Sequence, residues 1–270
     1  MSPEKFFTTK KALITLIAAS LVVIVSLGIR QTFGLFFFDF NADLNISISH
    51  FGFVIGLQLL MWGVFSPIFG FITDRYGGAT AIFVGFIFYL AGLFLFYSGL
   101  NTGYLFTLTI GLLIGIGLGG TAISIPVSVV AKHFPSSNRT IATGIVTCAG
   151  SFGFFVSPLL VRYSLIEIGW EITILYFCFL LGIGLITALF INTPKTPVGN
   201  NDNNHQTAKE ALIEAFNNKS FIFLTLGFFV CGWHIALVAT HIPTYMMDRG
   251  MPDWTACLLY TSDAADDASS

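Results

Sequence analysis

Arg30 and Gln31 have side chains that could bind an anion inside a membrane. Arg30 lies 19 residues after Lys11, within an apolar run that continues to Phe38. An arginine in a membrane-spanning segment costs about 2.5–3.5 kcal/mol by insertion scales, and it nearly always faces the interior of a helix bundle. Its planar guanidinium group matches the geometry of a carboxylate. The pair therefore predicts an anion-binding position. The alternative is an arginine that extends to the outer interface beside Asp39.

His234 and His241 form a second pair of candidates. They are seven residues apart in one apolar run, so they share a face of the helix. A histidine can bind an anion or carry a proton, because imidazole titrates near neutral pH. Each could instead be a packing residue with a satisfied hydrogen bond. We favour the packing role for His234 alone, and both roles stay open for His241.

The elements that hold these residues must be membrane helices. Apolar residues make up 55% of the chain and charged residues 10%, whereas a soluble domain carries about 25% charged residues. The mean hydropathy is +0.83. So few charges cannot cover a surface that faces water, and lipid must face much of the chain. The net charge of −2 predicts no nucleic acid partner.

Seven apolar runs are long enough to cross a bilayer, which takes about 20 residues of helix. Because their hydrophobicity is continuous rather than alternating, they predict helices rather than strands. Glycines within them allow close helix contact. Most of the 30 phenylalanines, such as Phe36, Phe37 and Phe38, are expected to face lipid. The seven runs cover residues 12–38, 50–72, 79–99, 104–130, 141–162, 170–191 and 220–246, and an eighth begins near Trp254.

The distribution of Lys and Arg predicts the orientation. When the connections are assigned alternately to the two sides, nine of the 12 basic residues fall on the side of the N-terminus. Arg162 and Arg249 fall on the other side, and Arg30 lies within the first run. Cytoplasmic loops carry the excess of basic residues. The N-terminus is therefore predicted to be cytoplasmic.

The polar gap between the sixth and seventh runs, residues 192–219, predicts a cytoplasmic linker. It contains two prolines and an Asn-rich stretch, and a short amphipathic helix is expected around residues 208–216. The linker would separate a six-helix bundle, residues 1–191, from the start of a second bundle, residues 220–256.

The segment 257–270 does not fit an eighth span. Asp263, Asp266 and Asp267 would each cost about 2.5–3.5 kcal/mol at a helix centre. We expect this tail to be non-native sequence joined to a truncated chain. The alternative is a genuine, short, polar C-terminus.

The connection between the second and third runs, residues 70–78, carries a short motif. Gly70 would allow close helix contact, Asp74 could pair with a neighbouring helix end, and Gly77 permits a tight turn. The motif resembles the G-x-x-x-D-R-x-G signature of the major facilitator superfamily, although Ala79 and Thr80 stand where that family usually adds basic residues. The resemblance assigns a conformational role to Gly70, Asp74, Arg75 and Gly77.

Three further stretches are similar to the monocarboxylate and oxalate–formate branch of that superfamily. They cover residues 28–34, 132–139 and 241–248. The glycine-rich segment 144–153 is similar to the fifth helix of the superfamily and is most simply a packing surface. The whole resemblance extends from residue 12 to about residue 256.

This resemblance implies an all-α integral membrane fold of the major facilitator type, with a complete N-terminal six-helix bundle and the first helix of a second bundle. It implies a secondary transporter in a bacterial cytoplasmic membrane. The cargo would be a small organic anion, a monocarboxylate or similar carboxylate, moved by alternating access around a midplane site, and a proton could be coupled to it. Helices one and seven are symmetry partners in this family. The substrate-binding residues would therefore be Arg30, Gln31, His241 and His234.

Other classes of protein fit the sequence less well. A seven-span receptor or sensor, the main alternative, has its N-terminus outside, and the seventh run contains no Lys that could hold retinal. A membrane enzyme would need H-E-x-x-H, G-x-S-x-G or paired carboxylates within the spans. These patterns are absent, as is the G-x-x-x-x-G-K-[ST] loop of ATP-driven pumps. The four cysteines have no paired spacing. The sequence thus predicts no enzyme activity, cofactor or metal site.

Overall fold

The structure is a computed structural model that describes residues 10–191 and 214–237, together with Ile242, Tyr245 and Arg249. These ranges are helical apart from short connections, and they contain no strand. The all-α prediction is therefore confirmed. His241, the tail 257–270 and most of the linker lie outside the described residues.

The first apolar run forms one helical rod of 35 residues, Lys10–Leu44. It consists of α1 (Lys10–Gln31), a 3-10 segment (Thr32–Phe36) and α2 (Phe37–Leu44). The rod ends where Asn45 takes a left-handed conformation with φ 56°, which Asn tolerates better than most residues. It extends beyond the predicted end at residue 38 because Phe40 continues into the core.

Two helices follow, joined by a glycine. Helix α3 (Ile48–Tyr76) begins where the Ser47 hydroxyl accepts the backbone N–H of His50 at 3.2 Å. It ends at Gly77, whose φ of 95° suits glycine. Helix α4 (Gly78–Tyr97) starts at the next residue. The predicted second and third runs are recovered within a few residues.

The fourth apolar run is interrupted in two places. It starts with the short α5 (Gly103–Phe106) and widens into a π-helical segment, Thr107–Leu113. The run then continues as α6 (Ile114–Thr121) and α7 (Ser124–His133). Ala122 separates these two helices because its backbone is extended, with φ −68° and ψ −174°.

The fifth and sixth runs form one long element, α8 (Ser136–Ala188), of 53 residues. A straight helix of that length would measure ~80 Å, far more than a bilayer. Gly169 breaks it, with φ 81° and ψ 170°. The break lies between the two predicted runs, but the loop expected around residues 163–169 is helical up to Gly169. Residues 214–217 are helical. After them, α9 (Lys219–Ala236) begins where the seventh run was expected.

Five helical stretches in the described ranges are long and apolar enough to cross a membrane, and α8 is counted once among them. Glycines bring these helices together. A Cβ at Gly115 would lie 2.6 Å from the Gln58 carbonyl oxygen of α3, and one at Gly117 would lie 2.7 Å from the Tyr89 nitrogen of α4. On α8, a Cβ at Gly153 would lie 2.8 Å from the Ile24 oxygen of α1. The prediction of glycine-mediated packing is confirmed.

Phenylalanines form much of the core. Phe40 packs its ring against Phe96, Phe106 and Trp170, with ring centroids 5.1–5.9 Å apart. The expectation of lipid-facing rings was wrong for Phe36 and Phe37, which are buried. The 3-10 segment and α2 turn these consecutive rings toward neighbouring helices instead of lipid.

Candidate functional site

Arg30 lies in the last turn of α1 and is buried inside the bundle. Only 6% of its surface is exposed, and 7% of that of Gln31. Its Nη1 donates a hydrogen bond to Gln31 Oε1 at 3.1 Å. The guanidinium group therefore faces the interior, as its insertion cost predicted. This burial disfavours the alternative of an arginine that reaches the outer interface.

The turn of α1 that precedes Arg30 forms hydrogen bonds with two other helices. The Tyr89 hydroxyl of α4 donates to the Ser26 carbonyl oxygen at 3.3 Å. The Ser26 hydroxyl donates to the Thr121 carbonyl oxygen at the end of α6, at 2.9 Å. Sequence reasoning did not identify these three residues as part of the site. Their only signal was the presence of polar side chains within apolar runs.

The two histidines are less well defined than Arg30. His234 is exposed, in the last turn of α9. His241 lies outside the described residues. A joint site of Arg30 and Gln31 with these histidines stays a prediction.

The motif between α3 and α4 forms an ion pair at one end of the bundle. Asp74 Oδ1 lies 2.8 Å from Lys132 Nζ, and these side chains are 75% and 36% exposed. Lys132 is in the last turn of α7. The expectation that Asp74 pairs with a neighbouring helix end is confirmed. Arg75 lies over the adjacent Tyr76 ring, 5.6 Å from its centroid.

The two motif glycines differ in what they do. Gly77 makes the turn, as its positive φ shows. Around Gly70, by contrast, no described atom lies within 4 Å of the position a Cβ would take. The described residues therefore make no close helix contact at Gly70, and the contact expected there stays a prediction.

At the opposite end of the bundle, a hydrogen bond ties the break in α8 to the first rod. Trp170 Nε1 donates to Asp43 Oδ2 at 2.6 Å. Trp170 follows Gly169 directly, so this bond holds the start of the second arm of α8. The hydroxyls of Ser164 and Thr173, on the two arms, lie 2.7 Å apart.

Long apolar helices packed through glycines, with a buried arginine on the first of them, define an integral membrane protein that crosses the bilayer several times. The family model described as Major Facilitator Superfamily matches residues 19–263. The chain belongs to the major facilitator superfamily. The narrower resemblance to the monocarboxylate branch stays a prediction.

Curated relatives are named for different cargoes. A "Probable nitrate transporter" of Staphylococcus carnosus is 26% identical over 159 residues, covering 58% of this chain and 39% of the relative. A "Hexuronate transporter" of Bacillus subtilis is 24% identical, covering 77% and 50%. An "Agnestins efflux protein" of Paecilomyces divaricatus is 24% identical, covering 90% and 54%. The chain thus spans about half or less of these relatives.

A solved structure shows the same fold. The crystal structure of a D-xylose–proton symporter superposes with a TM-score of 0.62 at 15% sequence identity. The match covers 96% of this chain and 66% of the symporter chain. At this identity the similarity defines the fold and not the cargo.

Proposed function

We propose that this chain supplies the first bundle and seventh helix of a secondary transporter for a small organic anion. Transport would proceed by alternating access, with two bundles rocking around a site between them. Arg30 would anchor the anion, and Gln31 would orient the guanidinium group. The remaining helices would belong to a longer protein, since the relatives are about twice as long as their matched segments.

The observation that carries this proposal is the buried arginine in a membrane helix. An intramembrane arginine is expensive, and such residues commonly mark substrate pathways. A guanidinium group holds five N–H donors in a fixed fork. That geometry suits two oxygens of a planar anion side by side.

The cargoes for which two of the relatives are named support an anion as cargo. Nitrate and the carboxylate group of a hexuronate are both planar and negatively charged, and each offers paired oxygens. A guanidinium fork fits that geometry better than an ammonium group does. The transporter interpretation is also favoured over the seven-span receptor, because the family match covers most of the chain.

Several finer features belong to this proposal. The cargo is a monocarboxylate or similar carboxylate, and a proton is the coupled ion. His241 carries that proton or helps to bind the anion, with His234 on the same helix face. The protein resides in a bacterial cytoplasmic membrane with its N-terminus in the cytoplasm, as the basic residues indicate.

The test uses the full-length protein that contains this sequence. Uptake of labelled lactate, pyruvate, formate, oxalate and nitrate is measured in vesicles, with surface expression checked. Arg30→Gln should nearly abolish uptake at normal expression, because the charge is lost. Arg30→Lys keeps the charge but loses the fork, and it should raise KM at least tenfold.

Arg139→Gln, at an exposed arginine near the start of α8, is the matched control and should have no effect. Unchanged uptake by Arg30→Gln would remove the basis of this proposal.

The role of His241 is tested in the same vesicles. His241→Ala should give a smaller defect than Arg30→Gln, visible mainly as a flattened dependence of uptake on pH. His234→Ala serves as the comparison on the same helix and should flatten the pH profile less than His241→Ala does. A normal profile in His241→Ala would assign proton coupling to another group.

A further inference from the structure

The turn of α1 that carries Arg30 is fixed by an unusual hydrogen bond. In an α-helix the carbonyl of residue i accepts the N–H of residue i+4, so the Ser26 carbonyl is the helical acceptor of Arg30. That same oxygen also accepts the Tyr89 hydroxyl from α4. The buried Tyr89 hydroxyl therefore contacts the same carbonyl group that accepts the backbone N–H of Arg30.

Ser26 is held from its other side by the break in the fourth run. Helix α6 ends at Thr121 because the backbone of Ala122 is extended. The Thr121 carbonyl oxygen accepts the Ser26 hydroxyl at 2.9 Å. Buried carbonyl groups need such a donor, since an unpaired one is costly. The turn of α1 is therefore attached to α4 and to the end of α6 through a single residue.

Glycines make this arrangement sterically feasible. Tyr89 is fully buried, and it passes α6 at Gly117, where a Cβ would lie 2.8 Å from the Tyr89 Cβ. Because Gly117 has no side chain, α4 approaches α6 closely enough for the Tyr89 hydroxyl to reach α1.

We infer that Tyr89, acting through Ser26 together with Thr121, is a positioning residue that holds Arg30 in its anion-binding orientation. This inference rests on the proposed function, because it gives Arg30 the role of anchor. Tyr89 would not touch the anion. It would reduce the freedom of the turn before binding, and such preorganisation improves affinity without adding a contact.

Tyr89→Phe is the central test, again in the full-length protein. The variant keeps the ring and its packing and removes one O–H group. The Ser26 carbonyl still has its helical donor, so the bundle should stay folded. We expect KM for the transported anion to rise about three- to tenfold, the range that corresponds to one hydrogen bond, with the maximal rate and surface expression unchanged. Tyr97→Phe, at an exposed tyrosine on the same helix, should behave as wild type.

A double variant separates positioning from general stability. In an Arg30→Lys background, Tyr89→Phe should raise KM by less than twofold. The guanidinium fork that Tyr89 orients is already absent from that background. Residues that act on one group are non-additive in this way, whereas independent effects multiply. An equal rise in KM in both backgrounds would overturn the inference.

Ser26→Ala is a second probe, because it removes the bond to the Thr121 carbonyl oxygen with the loss of a single oxygen atom. It should also raise KM and leave the maximal rate unchanged. Normal KM values in Tyr89→Phe and Ser26→Ala, with uptake lost in Arg30→Gln, would overturn the inference and leave the proposed function standing. Failure of both variants to reach the membrane would likewise overturn it, since these residues would then serve the fold alone. Normal uptake by Arg30→Gln would instead reject the proposed function.

Discussion

The ion pair between Asp74 and Lys132 connects the turn after α3 to the last turn of α7. Both side chains are accessible, and exposed pairs of this kind contribute only about 0.2–1 kcal/mol. Stability is therefore a weak reason for the pair. We propose instead that the motif around Asp74 acts in conformational change, where small differences between two states shift their populations.

A charge swap tests that role. Asp74→Lys should lower uptake several-fold, because two like charges then face each other, while the free energy of unfolding falls by less than about 1 kcal/mol. Adding Lys132→Asp should restore the pair and most of the uptake. The measurements are vesicle uptake and thermal unfolding in detergent. No rescue by the double change, or a loss of several kcal/mol of stability, would contradict a conformational role.

Single residues differ in how far the sequence predicts their surroundings. The burial of Arg30 follows from its position in an apolar run, because exposure to lipid is too expensive. The bond from Tyr89 to Ser26 does not follow, since the partners are 63 residues apart and meet only through the packing of α4 against α6 and α1. Glycine spacing predicts that helices are close, but not which pairs meet.

At the scale of elements, hydrophobic length predicts the spans better than their internal breaks. The π-helical segment Thr107–Leu113 is an example. At the end of this segment the backbone N–H of Ile114 donates a hydrogen bond to the Thr109 carbonyl oxygen. The next carbonyl oxygen, of Ile110, accepts a hydrogen bond from Gln58 Nε2 at 3.0 Å. Gln58 thus satisfies a backbone group where the helix changes its period. Apolar composition alone carries no signal for such a change.

The break in α8 depends on the backbone of Gly169. Its φ of 81° and ψ of 170° fall in a region used essentially by glycine alone. A Cβ there would meet no described atom within 4 Å, so a side chain is excluded by backbone strain and not by crowding. The direction of the second arm of α8 therefore depends on this one residue.

Gly169→Ala should lower the free energy of unfolding by about 1–3 kcal/mol. Gly182→Ala is the matched control, because it lies in the second arm with equal space around it and no positive φ. That change should be neutral or stabilise the helix by up to about 1 kcal/mol. Both are measured by chemical unfolding in the same detergent. Equal effects of the two substitutions would show that Gly169 does not need its unusual backbone.

For the whole molecule, the basic residues predict which end faces the cytoplasm. Lys132 and Asp74 should lie on the cytoplasmic side, and Asp43 and Trp170 on the other. In a variant without native cysteines, a cysteine introduced at Asn201 should react with a membrane-impermeant maleimide only after the cells are opened. Asn101→Cys, in the connection after α4, should react in intact cells. The reverse pattern would invert the topology.

The described surface also predicts how this chain behaves alone. The exposed residues of α9 are mostly apolar, and a groove of about 680 Å³ lies between α3 and α9, lined by Gly52, Gly56, Trp62, Phe229 and Trp233 among others. Lipid or a second bundle can cover such a surface, but only a second bundle completes a site for alternating access. The 270-residue chain should therefore reach the membrane and show no uptake above empty vesicles, whereas the full-length protein should take up the carboxylate that we propose as cargo. Both are compared in the same vesicles at equal expression, with Arg30→Gln of the longer protein as the inactive reference. Arg30-dependent uptake by the chain alone would show that one bundle, or an assembly of copies of it, is sufficient for transport.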